Sequence, residues 1–190
     1  MIETPAASES RLFGDALTCT LTVPVVLRAL PDDAAAAAAA HAAEELLRNI
    51  SHVEDNQPED KPEEHGAREL ALQRMEAKVD LLLGVVSQLL CRDREIGPPR
   101  ALRWSPVGVG VVLPGDWQAG DTALLCMPAA AWLPQNLELP VRVLATEPAG
   151  SAGRRLWLAV EPLGAPLAEA IKRHLFRLHR RAIAEERRSR

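Results

Sequence analysis

The chain of 190 residues contains no tyrosine, only two phenylalanines and only three cysteines. Its formal net charge is −4. The sequence therefore lacks the basic patches with interleaved aromatics that stack bases and neutralise phosphates, and we expect no DNA or RNA partner. The cysteines, Cys19, Cys91 and Cys126, lie far apart without a CxxC pair. This is typical of small buried thiols in a reducing compartment and predicts a cytoplasmic location.

Long hydrophobic runs and catalytic motifs are also missing. The first ten residues are acidic and hold no apolar core of a secretory signal, and no segment reaches the about 18 apolar residues that span a bilayer. No nucleophile elbow, phosphate-binding loop or dinucleotide-binding glycine motif occurs. His174 and His179 are too far apart to share the helical face that paired metal ligands need. The sequence predicts no membrane insertion, no metal site and no enzyme activity.

A heptad pattern runs without interruption from Arg68 to Asp93. It contains no proline, and a helix with such an apolar seam must bury it against other helices. Flanking apolar residues such as Leu83 and Leu90 make the seam too wide to be buried between two helices. We therefore expect more than two chains and predict a homotetramer. The predicted interface residues alternate between two core positions: Leu72, Met75, Val79, Leu82, Val86 and Leu89.

A second helix is predicted upstream of the heptads. Asp32 or Asp33 can cap a helix from Ala34 to about Val53, and an acidic linker over 54–65 follows it. Residues 34–95 are thus predicted to form two inserted coiled-coil helices. Folding of the first helix onto the second as an intramolecular hairpin is the competing model, and the parallel or antiparallel order stays open. The upstream helix has a seam of its own: Ala36, Ala39, Ala43, Leu46, Ile50 and Val53.

Strand-like segments flank this insertion. Residues 11–30 contain a predicted first strand, which Pro24 would confine to a sheet edge or a bulge. Residues 101–165 hold short β-rich runs separated by turns (107–113, 121–127, 137–146 and 155–161), typical of a small antiparallel barrel. A helix over 166–188 would cover the barrel with Leu167, Ile171, Leu175, Leu178 and Ala182. The prediction is one α+β domain over 1–190: a small antiparallel β-barrel interrupted by two long heptad helices, plus a C-terminal helix.

Charge is distributed unevenly along this domain. Residues 1–65 hold 13 acidic and 4 basic side chains, whereas residues 166–190 hold 8 basic and 3 acidic ones. The basic end is either a solvated helix face or a docking surface for an acidic partner or for phosphate.

One segment carries a family resemblance. Residues 103–108, with the sequence RWSPVG, resemble the (D/N)xSxxG motif of PilZ domains, in which Ser105 and Gly108 match. Arg11 precedes the first strand where these domains place the first arginine of RxxxR. With its helical insertion, the chain resembles the atypical, tetramer-forming PilZ group, in which long heptad helices build a parallel four-helix core. The resemblance implies a non-enzymatic regulatory module of bacterial cyclic di-GMP signalling, with cyclic di-GMP as its possible ligand and no other cofactor.

Two positions depart from the family's binding pattern. Asp15 stands where the second arginine belongs, and Arg103 stands where the motif has Asp or Asn. Because a carboxylate repels a dianionic ligand, we expect cyclic di-GMP binding to be weak or absent. The resemblance leaves four candidate ligand residues: Arg11, Arg103, Ser105 and Gly108. The alternative function is a structural coiled-coil scaffold or adaptor that acts only through protein–protein contacts, and the sequence does not identify its regulatory partners.

Overall fold

The structure, a computed structural model, describes residues 3–55, 75, 79 and 97–188. Within these residues, three α-helices with defined ends pack on a single seven-stranded antiparallel sheet. The helices are α1 (Pro5–Phe13), α2 (Asp33–Asp55) and α3 (Ala165–Arg188). The strands are β1 (Cys19–Pro24), β2 (Val26–Ala29), β3 (Pro99–Ser105), β4 (Gly108–Leu113), β5 (Thr122–Ala130), β6 (Leu133–Pro148) and β7 (Arg154–Val160). The prediction of an α+β fold with an antiparallel β-structure and a C-terminal helix is confirmed.

The sheet order is β1-β3-β4-β7-β6-β5-β2, so the two consecutive strands β1 and β2 form its opposite edges. Only Val25, which is buried, separates them. The sheet must therefore curl into a half-barrel to bring its edges together. Pro24 ends β1 at the edge, as predicted, because proline has no N–H to donate to a neighbouring strand.

The predicted first strand over 11–30 is wrong in extent. Its first residues complete α1, which Thr4 caps by accepting a hydrogen bond from Ala7 N at 3.3 Å, with Pro5 in the first turn. The strand then starts at Cys19 and breaks at Val25 into two strands. A short capped helix therefore precedes the sheet.

Helix α2 begins and ends within two residues of its prediction. Asp32 caps it, since its Oδ1 accepts a hydrogen bond from Ala35 N at 2.7 Å. Its apolar seam lies against β5, β6 and α3 of the same chain rather than in a coiled coil, so the coiled-coil prediction is wrong for this helix. The small alanines permit this close approach. The buried residues of α2 are Ala36, Ala43, Leu46, Leu47 and Ile50, whereas Val53 is 50% exposed.

The heptad helix is described at two positions only. Met75 and Val79 are helical, and their side chains are 63% and 49% exposed in the single chain. The other predicted interface residues, Leu72, Leu82, Val86 and Leu89, lie outside the described residues.

Helix α3 closes the core. Leu167, Ile171 and Leu175 are buried against the barrel, and Leu178 is partly buried there, as predicted. Ala182 is exposed, which corrects the predicted stripe: every described residue from position 179 onward is exposed. The last turns of α3 therefore extend beyond the sheet that they were predicted to cover.

Candidate functional site

The segment that matches the family motif forms the β3–β4 hairpin, in which Ser105 pairs with Gly108. Ser105 is fully buried, and its hydroxyl donates to Gly108 O at 3.2 Å. The same Oγ accepts hydrogen bonds from Val107 N at 3.3 Å and from Gly108 N at 3.2 Å. The hydroxyl thus closes the turn, and a ligand role for it would require these bonds to break.

Gly108 and Gly110 permit a close approach to the sheet, and the group that approaches is the protein's own α1. A Cβ on Gly108 would lie 2.3 Å from Leu158 O and 2.6 Å from Leu12 Cδ2. A Cβ on Gly110 would lie 3.2 Å from the Phe13 ring. Side chains at either position would therefore press against the docked helix or the neighbouring strand.

Helix α1 lies on the outer face of the sheet. Its last two residues form a hydrophobic cluster separate from the main core, whose buried members are Leu12, Phe13, Leu144, Ala145, Trp157 and Ala159. Strand registers place Arg103, Gly110 and Trp157 side by side in one row on this face. The helix thus covers the face that carries the candidate arginine.

One carboxylate of α1 binds two donors of that row. Arg103 Nη1 donates to Glu9 Oε1 at 2.7 Å, and Trp157 Nε1 donates to Glu9 Oε2 at 2.7 Å. The Arg103 guanidinium also lies over the Phe13 ring, 4.5 Å from its centroid, in a cation–π contact. Glu9 occupies the position at which an anionic group of a ligand would meet Arg103.

Arg11 belongs to a different ion-pair network. Its Nη1 donates to Glu3, and its Nη2 lies 3.9 Å from Glu161 Oε1. Glu161 in turn accepts a hydrogen bond from Arg142 Nε at 2.6 Å. Asp15 is exposed beyond the end of α1. The structure thus joins Arg103, Ser105 and Gly108 in one hairpin, whereas the contacts of Arg11 are to other carboxylates.

An open groove of about 680 Å³ runs beside α1 over β3, β4 and β7. This volume lies within the range of small-molecule sites. Its lining is mainly apolar, and its four charged residues form two internal pairs, Glu9 with Arg103 and Glu147 with Arg155 at 3.1 Å. A dianionic ligand would therefore meet no uncompensated positive charge in the lining.

Glu9, Trp157, Glu147 and Arg155 are site residues that the sequence reasoning missed. Trp157 and Arg155 alternate along β7, which signals a shared face once the strand is assigned. An acidic residue in an exposed helix carries no comparable signal, because most such residues only contact solvent. The contact of Glu9 with β3 and β7 depends on the tertiary fold.

The junction of α2 and α3 holds a second group of titratable side chains. Glu54, whose side chain is 4% exposed, has Oε2 at 2.9 Å from Arg177 Nε and Oε1 at 2.9 Å from Arg181 Nη2. The His174 ring is buried beside Trp104, with centroids 5.6 Å apart. Burial, together with the positive charge of Arg177, lowers the pKa of His174 to about 4. This histidine is a neutral core side chain at physiological pH.

Three further observations concern the chemistry of the described residues. They include no group of three or more His, Cys, Asp or Glu side chains that could hold a metal ion. None of their helices is both long enough and apolar enough to cross a membrane. Cys19 and Cys126 are buried, and burial raises the pKa of the Cys19 thiol.

Comparison with known proteins assigns this architecture. A family model described as "Atypical PilZ domain, cyclic di-GMP receptor" matches residues 47–188. The chain belongs to the atypical PilZ domain family. The match begins within α2, includes strands β3 to β7 and α3, and confirms the resemblance predicted from residues 103–108.

A solved structure from Xanthomonas campestris is similar to this atypical PilZ protein. It is described as a pathogenic protein with a new tetrameric PilZ domain self-assembled via an unusual helical bundle. The two chains are 35% identical with a TM-score of 0.76, and the alignment covers 95% of this chain and 97% of the other. The comparison with curated proteins gave no match.

Proposed function

We propose that this atypical PilZ protein is a non-enzymatic regulatory module of bacterial cyclic di-GMP signalling, that it acts as a homo-oligomer, and that it binds cyclic di-GMP weakly or not at all. Membership of a cyclic di-GMP receptor family supports the signalling role. The weak binding is inferred from the Glu9 carboxylate, which accepts hydrogen bonds from both Arg103 and Trp157.

A nucleotide that used Arg103 would have to displace Glu9. Because Glu9 and Arg103 are about half exposed, breaking the two hydrogen bonds that Glu9 accepts, one from a charged guanidinium and one from an indole N–H, should cost about 1–2 kcal/mol. Moving α1 would also expose Leu12 and Phe13, which are 1% and 4% exposed. Asp15 adds an anion where the family has arginine. Penalties of about 4 kcal/mol turn a micromolar site into a millimolar one.

Isothermal titration calorimetry with cyclic di-GMP tests this proposal. The wild-type protein is expected to bind no tighter than about millimolar. A triple variant, Glu9→Ala with Asp15→Arg and Arg103→Asp, restores the family pattern and removes the competing carboxylate, so it should bind at least about tenfold tighter. Glu9→Ala alone is the matched control. Micromolar binding by the wild-type protein would contradict the weak-binding part of the proposal.

Homo-oligomerisation through the heptad helix is the second part of the proposal. Met75 and Val79 are one helical turn apart and expose large apolar side chains, which favours their burial against another chain. Four chains are proposed because the seam is wide and because the similar Xanthomonas protein is described as tetrameric. The same interface would include Leu72, Leu82, Val86 and Leu89. The cytoplasmic location stays a separate prediction.

A structural scaffold or adaptor is the alternative function, and the covered face of the sheet favours it specifically. If α1 stays docked, this face of the sheet binds no ligand. The sheet then serves only to hold the helices that contact other proteins. Failure of the triple variant to bind cyclic di-GMP, with its fold intact by circular dichroism, would support the scaffold over the nucleotide-linked module.

A further inference from the structure

The outward face of α3 carries a ladder of basic and apolar side chains. Its members are spaced three or four residues apart, so they lie on one face of the helix. All five are exposed, and the two apolar ones, Phe176 and Ile183, are 53% and 37% exposed. We call this set the outer stripe of α3: Lys172, Phe176, Arg180, Ile183 and Arg187.

The basic members of the outer stripe are available to a partner. Arg177 and Arg181, on the neighbouring face, lie at ion-pair distance from Glu54, and Arg173 pairs with Glu169 at 3.2 Å. Among the described residues, no ion pair involves the three stripe cations, Lys172, Arg180 and Arg187. The helix thus separates cations that hold the fold together from cations that face solvent.

The exposed C-terminal end of α3 leaves the outer stripe accessible to a partner. All described residues from position 179 to 188 are exposed, a length of roughly 15 Å at about 1.5 Å per residue. Phe176 and Ile183 are therefore about 10 Å apart along the axis, two helical turns. An apposed helix with apolar side chains two turns apart would contact both at once.

We propose that the outer stripe docks an acidic, amphipathic helical segment of a partner protein. Its apolar side chains would cover Phe176 and Ile183, and its carboxylates would pair with Lys172, Arg180 and Arg187. The proposal rests on the proposed function in one respect: a non-enzymatic regulator acts through contacts. Binding at the stripe itself requires no cyclic di-GMP.

Charge complementarity favours an acidic protein over a phosphate surface. The chain as a whole carries −4, and residues 1–65 hold a large excess of acidic side chains, so an extended polyanion would be repelled outside the stripe. A single helical segment matches the dimensions of the stripe and avoids that repulsion. The apolar pair supplies contact that a purely electrostatic surface would lack.

The full-length protein can be titrated against a fluorescein-labelled acidic helical peptide with leucines two turns apart, and binding followed by fluorescence anisotropy without nucleotide. Arg180→Glu with Arg187→Glu should weaken binding at least tenfold, and so should Phe176→Ser with Ile183→Ser. Arg188→Glu, which reverses a charge beside the stripe, and Val53→Ser, at an exposed apolar position of α2, should leave affinity unchanged. All altered side chains are exposed, and circular dichroism checks that each variant folds.

Equal binding of a control peptide with serine in place of leucine would overturn the proposal, as would charge-reversed variants that bind like wild type. Tighter, stripe-dependent binding of phosphatidylserine vesicles or duplex DNA would assign the stripe to another class of partner. Changed mass of the charge-reversed variant in light scattering would assign it to a second copy of this chain. The cyclic di-GMP titration is independent, so failure of the proposed function and failure of this inference are distinguishable.

Discussion

Glu9 and Arg103 are 94 residues apart in the chain, yet their carboxylate and guanidinium groups are 2.7 Å apart on the outer face of the sheet. Helix α1 has nine residues, too few to be stable in isolation. Its place therefore depends on this ion pair, on the bond from Trp157 to the same carboxylate, and on the burial of Leu12 and Phe13. Helix α1 therefore covers the part of the sheet that carries Arg103.

Replacing Glu9 with alanine should loosen α1. The change removes both hydrogen bonds, and because Glu9 and Arg103 are about half exposed, we expect a loss of only about 1–2 kcal/mol in the free energy of unfolding. Amide exchange of residues 5–13 should quicken. A double-mutant cycle with Arg103→Ala isolates the pair, and a coupling energy of zero would contradict a direct interaction.

Val79→Asp should dissociate the proposed oligomer. Val79 is 49% exposed in the single chain, so the change leaves the monomer fold intact, but an unpaired carboxylate in an interhelical seam costs several kcal/mol. Multi-angle light scattering should show the mass falling from about 82 kDa, four times 20.6 kDa, towards 20.6 kDa. Val53→Asp, at a 50% exposed position of α2, is the control and should keep the larger mass. A wild-type mass near 20.6 kDa would end the assembly hypothesis.

His174 should make stability depend on pH. Its pKa is about 4 in the folded protein and 6.5 in an unfolded chain, so between these values the unfolded state binds the extra proton. The free energy of unfolding that is linked to neutral His174 is fully present above pH 6.5 and is lost as the pH falls towards 4. The loss between pH 7 and pH 5 should be about 2 kcal/mol.

Chemical denaturation at pH 7 and pH 5 measures this contribution. His174→Leu should reduce the difference between the two pH values, whereas His179→Leu, an exposed histidine of the same helix, should not. Glu54, Arg177 and Arg181, whose charges act on His174, are present in both proteins, so their effect is common to the comparison. An unchanged difference in His174→Leu would refute the assignment.

Gly108→Ala should destabilise the hairpin that carries the family motif. The new Cβ would lie 2.3 Å from a backbone oxygen, that of Leu158, which cannot move without disturbing β7. Overpacking of this kind costs about 1–3 kcal/mol or more. Gly110→Ala meets only the Phe13 ring at 3.2 Å and should cost less, and Gly164→Ala, with its nearest contact at 3.6 Å, should be neutral. Thermal melts of the three variants give the order, and equal melting temperatures would argue against the close contact.

Local signals in the sequence sufficed for much of this fold. Asp32 marks the start of α2, Pro24 marks a sheet edge, and the alternating segments after residue 107 correspond to β4 through β7. Strand β3 was not predicted as a separate element because it begins at Pro99 and mixes arginines with apolar residues. The seam of α2 was predicted correctly as apolar but assigned to the wrong surface, since periodicity gives the face of a helix and not its partner.

The candidate site was less predictable than the fold. Sequence placed Ser105 and Gly108 at the right turn, but the hydroxyl that the motif offers to a ligand is bonded within that turn. The substitution at Arg103 was visible, whereas its partner Glu9 was not, because an ion pair between a helix and a distant strand leaves no pattern of spacing. Only tertiary structure brings these charges together.

The position of Val25 between two opposite edge strands has a consequence for synthesis of the chain. Strands β1 and β2 are synthesised early, before the strands with which they pair. Strand β1 pairs with β3, which begins at Pro99, and β2 pairs with β5, in which Cys126 lies opposite Val26. At about 5–20 residues per second, the ribosome needs roughly 5–20 s after β2 before β5 exists. During that interval both strands have open hydrogen-bonding edges, which other nascent chains could pair with. Pro24 interrupts this exposed segment and limits such pairing during translation.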